Sequence, residues 1–129
     1  MVKKKKQERL LTEVELELMN VIWKTPECTI RLIVDQLPKE RALAYTSVAT
    51  MMKILEEKGF LKSEGREKGH VFRPVIARLD YEKRTLHHVA EKLFAGSPSS
   101  MVMKLIDESE LTQDELRAIQ KTLNERLQT

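Results

Sequence analysis

The chain is poor in the residues that let small proteins fold without a large core. Its one cysteine, Cys28, cannot close an internal disulfide, which excludes a cross-linked scaffold and points to a reducing compartment. Aromatic residues are 5% of the 129, and there are four glycines, too few for the many turns of an all-β fold. No apolar run approaches the roughly 20 residues that cross a bilayer. The opening stretch, Met1 to Lys6, has the basic flank of an export signal, but Gln7-Glu8-Arg9 stands where the apolar part would begin. These absences predict a cytoplasmic, mainly helical protein.

Catalytic apparatus is lacking as well. Gly59, Gly65, Gly69 and Gly96 belong to no phosphate-binding loop, and no nucleophile stands in a recognisable base context. His87 and Glu91 are one helical turn apart and could share a metal ion, but no third ligand is evident. The expectation is a protein without cofactor or metal that is not an enzyme.

Charge is plentiful at 33% of residues, and the net charge is only +3. Its distribution is uneven. Residues 1–74 carry 15 Lys and Arg against 11 Asp and Glu, whereas residues 75–129 carry 8 against 9. The positive surplus lies in the front half, where a phosphate-binding surface would need it, although an ordinary solvated surface would look similar.

Leu11-Thr12-Glu13-Val14-Glu15 reads as a helix start, with Thr12 and Glu15 at capping-box spacing. Val14, Leu18, Val21 and Ile22 then share one face, with Trp23 beside them, and Pro26 ends the helix. Thr29 caps a second short helix with Ile30, Ile33, Val34 and Leu37 as its stripe, stopped by Pro38. A third runs from about Tyr45 to Lys58, with Val48, Met52 and Leu55 on one face and Gly59 placed to end it. The period then changes: residues 60–64 and 70–73 read as two strands joined by the charged turn Gly65-Arg66-Glu67-Lys68-Gly69. Three helices followed by a basic hairpin is the order of a winged helix-turn-helix.

Beyond Pro74 the chain is wholly helical. Leu86, Val89, Ala90, Leu93 and Phe94 form a stripe up to the break at Ala95-Gly96-Ser97-Pro98, and Ser99 or Ser100 starts a short helix holding Met101, Val102, Met103, Leu105 and Ile106. Thr112, with Glu115 three residues on, caps the last helix, whose seam is Leu116, Ile119, Leu123 and Leu127. Three helices in so short a stretch cannot bury these stripes among themselves. They read as a dimerisation tail, carried by Leu86, Val89, Leu93, Met101, Leu105, Leu116, Ile119 and Leu123, or as a tail folded back on the winged helix. The organisation expected is a flexible basic arm over 1–10, a winged helix over 11–76 and a helical dimerisation region over 77–129.

Three stretches carry a family likeness: Leu11-Thr12-Glu13-Val14-Glu15, the run from Ala44-Tyr45-Thr46-Ser47-Val48 to Lys58-Gly59-Phe60-Leu61, and His70-Val71-Phe72-Arg73-Pro74. The chain resembles the penicillinase-repressor family (the BlaI/MecI/CopY group), and Phe94-Ala95-Gly96-Ser97 with Ser99-Ser100-Met101-Val102-Met103 is similar to its linker and following helix. That resemblance implies a bacterial homodimeric repressor that sits on a palindromic operator, often with TACA/TGTA-like half-sites, and is displaced by a signal. The copper-responsive branch carries a C-terminal cysteine cluster, which Cys28 cannot replace. In the β-lactam-responsive branch, through a membrane-bound sensor protease as further partner, an Asn-Phe bond is cut in the helix after the linker. The matching pair here is Lys104-Leu105, which departs from that pattern.

On the third helix, Thr46, Thr50, Lys53 and Glu57 lie opposite the core face, and residues near a recognition helix's start reach base edges. Tyr45, Thr46, Ser47 and Thr50 are therefore candidate base readers, with Thr46 a helix cap in the plainer reading. Lys53 suits the DNA backbone, and Ile54 stands where many of the family carry a basic residue. Arg66, Lys68 and Arg73 could pair with phosphates or belong to a solvated turn. Lys3 to Lys6 and Arg9 either touch DNA or keep the end soluble. Trp23 reads as core rather than a stacking platform, and Cys28 as an ordinary small residue or a redox site. The alternative to a DNA-binding repressor is a winged helix used for protein–protein contact alone.

Overall fold

The computed structural model describes residues 10–41, 43–66 and 69–128, with Arg66 described by its backbone alone. Lys3 to Lys6, Arg9 and Lys68 lie outside the described residues. The elements run α1 (Glu13–Lys24), α2 (Ile30–Gln36), α3 (Tyr45–Glu57), β1 (Leu61–Arg66), β2 (Gly69–Pro74), α4 (Arg78–Leu93), α5 (Pro98–Glu108) and α6 (Gln113–Leu127). This is the winged-helix order with a helical tail. The chain divides into two compact units between Thr85 and Leu86, inside α4; the boundary expected at 76/77 instead lies in the loop before that helix.

In the first unit the local signals act as their chemistry requires. Thr12 accepts from the Glu15 amide while Glu15 Oε1 accepts from the Thr12 amide at 2.8 Å, closing the capping box. The helix ends at Pro26 as expected: Lys24 is its last residue and Thr25, just before the proline, its C-cap. Gly59 takes φ +87° after Lys58, and the amides of Gly59 and Phe60 return to the carbonyls of Glu56 and Leu55. That double bond satisfies two end carbonyls of α3 and needs a left-handed residue, which glycine supplies.

Leu18, Ile22, Ile33, Val48, Met52 and Phe60 are fully buried and knit α1, α2 and α3 into one core. The strands are longer than their apolar residues suggested, pairing from Leu61↔Pro74 to Arg66↔Gly69. Cys28 adds a one-residue third strand, exchanging both backbone hydrogen bonds with Phe72 at 3.1 and 2.8 Å. Its buried thiol donates to the Thr25 carbonyl, and burial pushes the thiol pKa up to about 11. At neutral pH it is an unreactive thiol, as a small core residue should be.

The first turns of α4 are anchored by aromatics. Tyr81 stands edge-on to Phe60 and beside Trp23, and its hydroxyl accepts from the Leu11 amide at 2.8 Å. Trp23 donates its indole N–H to the Ile76 carbonyl, and Arg78 lies over its ring. Trp23 is partly buried and packs against the core.

The second unit is held by local devices. Ala95 and Gly96 adopt positive φ to turn the chain after α4. Ser97, not Ser99 or Ser100, caps α5, with Pro98 at the first helical position, where its missing N–H costs nothing. Thr112 and Glu115 close a second capping box on α6. Among the described residues, neither α5 nor α6 has a buried side chain.

Candidate nucleic-acid interface

Recognition of a groove requires a helix with one face fixed to the core and the other free. In α3, Val48, Met52 and Leu55 are fully buried. Tyr45, Thr46, Ser47, Thr50 and Lys53 are all exposed; Thr46, Thr50 and Lys53 lie opposite the core face, with Tyr45 and Ser47 flanking them in the first turn. Ile54 is exposed there too.

The helix begins on Ala44, which makes no side-chain cap. The capping reading of Thr46 is thereby corrected: Thr46 is the second helical residue, and its side chain is left for other work. Among the described residues nothing accepts from the amides of Tyr45, Thr46 and Ser47, so the first turn presents donors and partial positive charge. Thr50 differs from its neighbours. Its hydroxyl donates to the Thr46 carbonyl at 3.0 Å, so toward a base it offers acceptor lone pairs and a methyl group. A base amino group or the thymine methyl suits it best.

Carboxylates set the hairpin against this helix. Glu56, on α3, accepts from both the backbone amide (3.0 Å) and the hydroxyl of Ser63 on β1. Ser63 pairs with Phe72, whose own amide and carbonyl turn the other way toward Cys28. Glu56 therefore satisfies a strand N–H that β2 does not. Replacing Glu56 with Ala should destabilise the unit by about 1–3 kcal/mol, the cost of an unmade hydrogen bond to a charged group, and Gln should recover most of it in a thermal melt. Similar losses for Ala and Gln would show that the acceptor is unimportant.

Arg73 is drawn into the same kind of bracing. Its Nη2 lies 2.8 Å from Glu27 Oε1 and 3.4 Å from Glu64 Oε2. Expected as a phosphate contact, it is half exposed and also pairs with two carboxylates. Among the exposed cations of this unit that make no ion pair among the described residues are Lys53 and, unsuspected from sequence, Arg31, Lys39 and Lys62. Arg31 is on α2, which corresponds to the helix that crosses the DNA backbone in this motif; that position was the available signal. Lys62 pairs in register with Arg73 and was hidden by attention to the turn.

In the second unit, Leu86, Val89, Phe94, Met101 and Leu105 line an apolar groove beside Lys104. Leu116, Ile119 and Leu123 line two shallower ones on α6. All eight residues expected to dimerise thus border apolar surface or stand exposed, Leu93 at 74% and Leu105 at 56%. The Lys104-Leu105 bond lies inside α5, with Leu105's carbonyl bonded to the Ser109 amide and Lys104 near Glu108; a protease would need this helix locally unwound. His87 pairs with Glu91 at 3.0 Å, and no group of three metal-ligating side chains occurs among the described residues. Nor is any described helix long and apolar enough to cross a membrane.

Comparison with known proteins gives a consistent result. The model of the family described as penicillinase repressor matches residues 11–125. The penicillinase repressor of Bacillus licheniformis is 26% identical over 115 residues, covering 89% of this chain and 90% of that protein. The methicillin resistance regulatory protein MecI of Mammaliicoccus sciuri is 22% identical over 116 residues, covering 90% and 94%. The solution structure of the DNA binding domain of the repressor BlaI superposes with a TM-score of 0.50 at 30% identity, covering 62% of this chain and 94% of that domain.

Proposed function

The chain belongs to the penicillinase repressor family, and from that premise we propose that it is a sequence-specific DNA-binding transcriptional repressor, acting as a homodimer on a palindromic operator. The observation that carries the reading is the open side of α3, where Thr46 and Thr50 stand exposed opposite a fully buried core face with Tyr45 and Ser47 exposed in the first turn. Their hydroxyls suit base edges, while Lys53, Arg31, Lys39 and Lys62 supply charge for phosphates, which fixes affinity and register rather than sequence. Arg66 and Lys68 at the hairpin tip would add to that charge.

Dimerisation through residues 77–129 would cover the apolar stripes of α5 and α6 and place two readers on two half-sites. Repression is then steric, two winged helices occupying promoter DNA. Release follows from any signal that separates the pair, because one reader alone has too few phosphate contacts to hold at cellular salt. Cleavage at Lys104-Leu105 by a membrane-bound sensor protease would do so by cutting α5.

The test is fluorescence anisotropy of the full chain on DNA from upstream of its own gene, against a scrambled duplex, across salt concentrations. Preference for the native fragment, falling as salt rises, is the expected result. Absence of binding even at low salt would overturn the reading in favour of a protein-contact module. Substituting Thr46 or Thr50 with Ala should weaken operator binding about 5- to 30-fold, for about 1–2 kcal/mol of lost base contact, and leave scrambled DNA nearly unchanged. An equal loss on both duplexes would argue against base reading by these residues.

A further inference from the structure

Two charged links join α1 to the turn that leads into the recognition helix and to the C-cap of that helix. Before its start, Arg41 donates Nε to Glu17 Oε2 at 2.7 Å and Nη2 to Glu17 Oε1 at 2.9 Å, a two-pronged bond, with Glu13 3.8 Å away. At the other end, Lys58, the C-cap of α3, donates to Glu15 Oε2 at 2.7 Å. Glu15 is buried, and its other oxygen is already bonded to the Thr12 amide, so it cannot drift without breaking the cap of α1. The Arg41–Glu17 fork is planar and bidentate, the geometry that fixes orientation as well as distance.

A helix of 13 residues is about 20 Å long, and its open face must meet base edges within about 0.5 Å. Core packing through Val48, Met52 and Leu55 fixes the buried side of α3. It resists sliding along the helix axis and tilting at the ends less well, because apolar contact is not directional. The two ion pairs supply direction, one at the C-cap of α3 and the other in the turn that leads into it.

We propose that Glu17 with Arg41, and Glu15 with Lys58, are positioning pairs for operator reading: α1 is a splint that sets the pose of α3. This rests on the operator-binding reading above. The proposal separates from simple electrostatics by sign. Removing the Glu17 carboxylate adds one net positive charge and frees Arg41, which by charge alone tightens binding to every duplex. Loss of the splint instead weakens the operator complex selectively.

The experiment is anisotropy of the full chain on the native upstream fragment and on scrambled DNA, for wild type, Glu17→Ala, Glu17→Gln and the swapped pair E17R/R41E, with thermal melts alongside. Expected for Glu17→Ala is an operator affinity about tenfold lower, unchanged or tighter binding to scrambled DNA, and a melt close to wild type. Glu17→Gln should fall between, and the swap should restore most of the preference at unaltered net charge. A wild-type operator-to-scrambled ratio in Glu17→Ala, or an equal loss on both duplexes, would overturn the positioning role. So would a swap that restores nothing, since the loss would then belong to residue 17 and not to the pair. If Glu17→Ala does not fold, Gln and the swap carry the same comparison. A wild-type protein that itself shows no preference would bring down the operator reading, a result distinct from any of these.

Discussion

Leu105→Arg is expected to leave the protein monomeric and to lower its affinity for a two-half-site operator by about 10²- to 10⁴-fold, the range over which linking two binding modules raises avidity. Leu105 stands 56% exposed on α5 at the edge of a groove formed with Leu86, Val89, Phe94 and Met101. Leu86 and Leu93 on α4, Met103 on α5 and Leu123 on α6 are at least half exposed as well, and neither α5 nor α6 has a buried residue of its own among the described residues. Exposed apolar area of this extent costs solvation free energy that a second copy of the same surface would remove. A guanidinium placed there would be desolvated without a partner, so the closed pair becomes unfavourable. The winged helix has its own core, and its melting should change little. Sedimentation velocity and operator anisotropy together make the check. A wild-type chain that sediments as a monomer, or a Leu105→Arg variant that remains dimeric and binds as wild type, would dismiss the tail as the dimer interface.

What could be read in advance was local. Thr12 with Glu15 and Thr112 with Glu115 were legible as helix starts because a cap is decided by residues three apart, and Gly59 because only its backbone freedom fits the end of α3. The buried face of α3 followed from the spacing of Val48, Met52 and Leu55. Ser97 was missed in favour of later serines, although Pro98, which can only open a helix or follow its end, was the signal. Long-range partners left no such trace. Nothing near Cys28 indicates that its backbone pairs with Phe72, and nothing near Arg73 shows that Glu27 will hold it. The carboxylates at 17 and 56 look like solvated helix charges in sequence, and Glu15 shows only its capping role. Their partners, Lys58, Arg41 and Ser63, become visible only once the chain is closed. The candidate base readers were legible for the opposite reason: a recognition face is what remains of a helix after its core stripe is assigned. Of the candidate phosphate-binding cations Lys53 was legible, but Arg31, Lys39 and Lys62 were not, since charge alone does not say which cation will be neutralised by a neighbour.

Glu15→Ala should be the most destabilising of the charged substitutions, by about 2–4 kcal/mol at neutral pH. Truncating one partner of a buried pair strands the other charge, and loss of a helix cap adds about 1 kcal/mol; Lys58 is about a quarter exposed, which keeps the total toward the lower end. Burial works to raise the Glu15 carboxyl pKa, but Lys58 and the Thr12 amide together outweigh it and hold the group below the ordinary value of 4.5. The direction of the pH dependence follows. A group whose folded pKa is depressed contributes stability that is complete above its unfolded pKa and is lost as pH falls through the folded one. The advantage of wild type over Glu15→Gln, which retains an acceptor for the Thr12 amide but not the charge, should therefore be constant between pH 6 and 8. It should shrink steadily below about pH 4.5, where the carboxylate takes up its proton and the link to Lys58 becomes an ordinary hydrogen bond. Thermal melts of the two proteins at pH 7, 5, 4 and 3 would show the gap closing. A gap that persists undiminished at pH 3 would mean that Glu15 stabilises α1 by shape and capping alone, and that Lys58 contributes nothing through charge. Lys58→Met separates the same two contributions from the other side: it spares the cap, strands the carboxylate, and should flatten the rise of stability with pH.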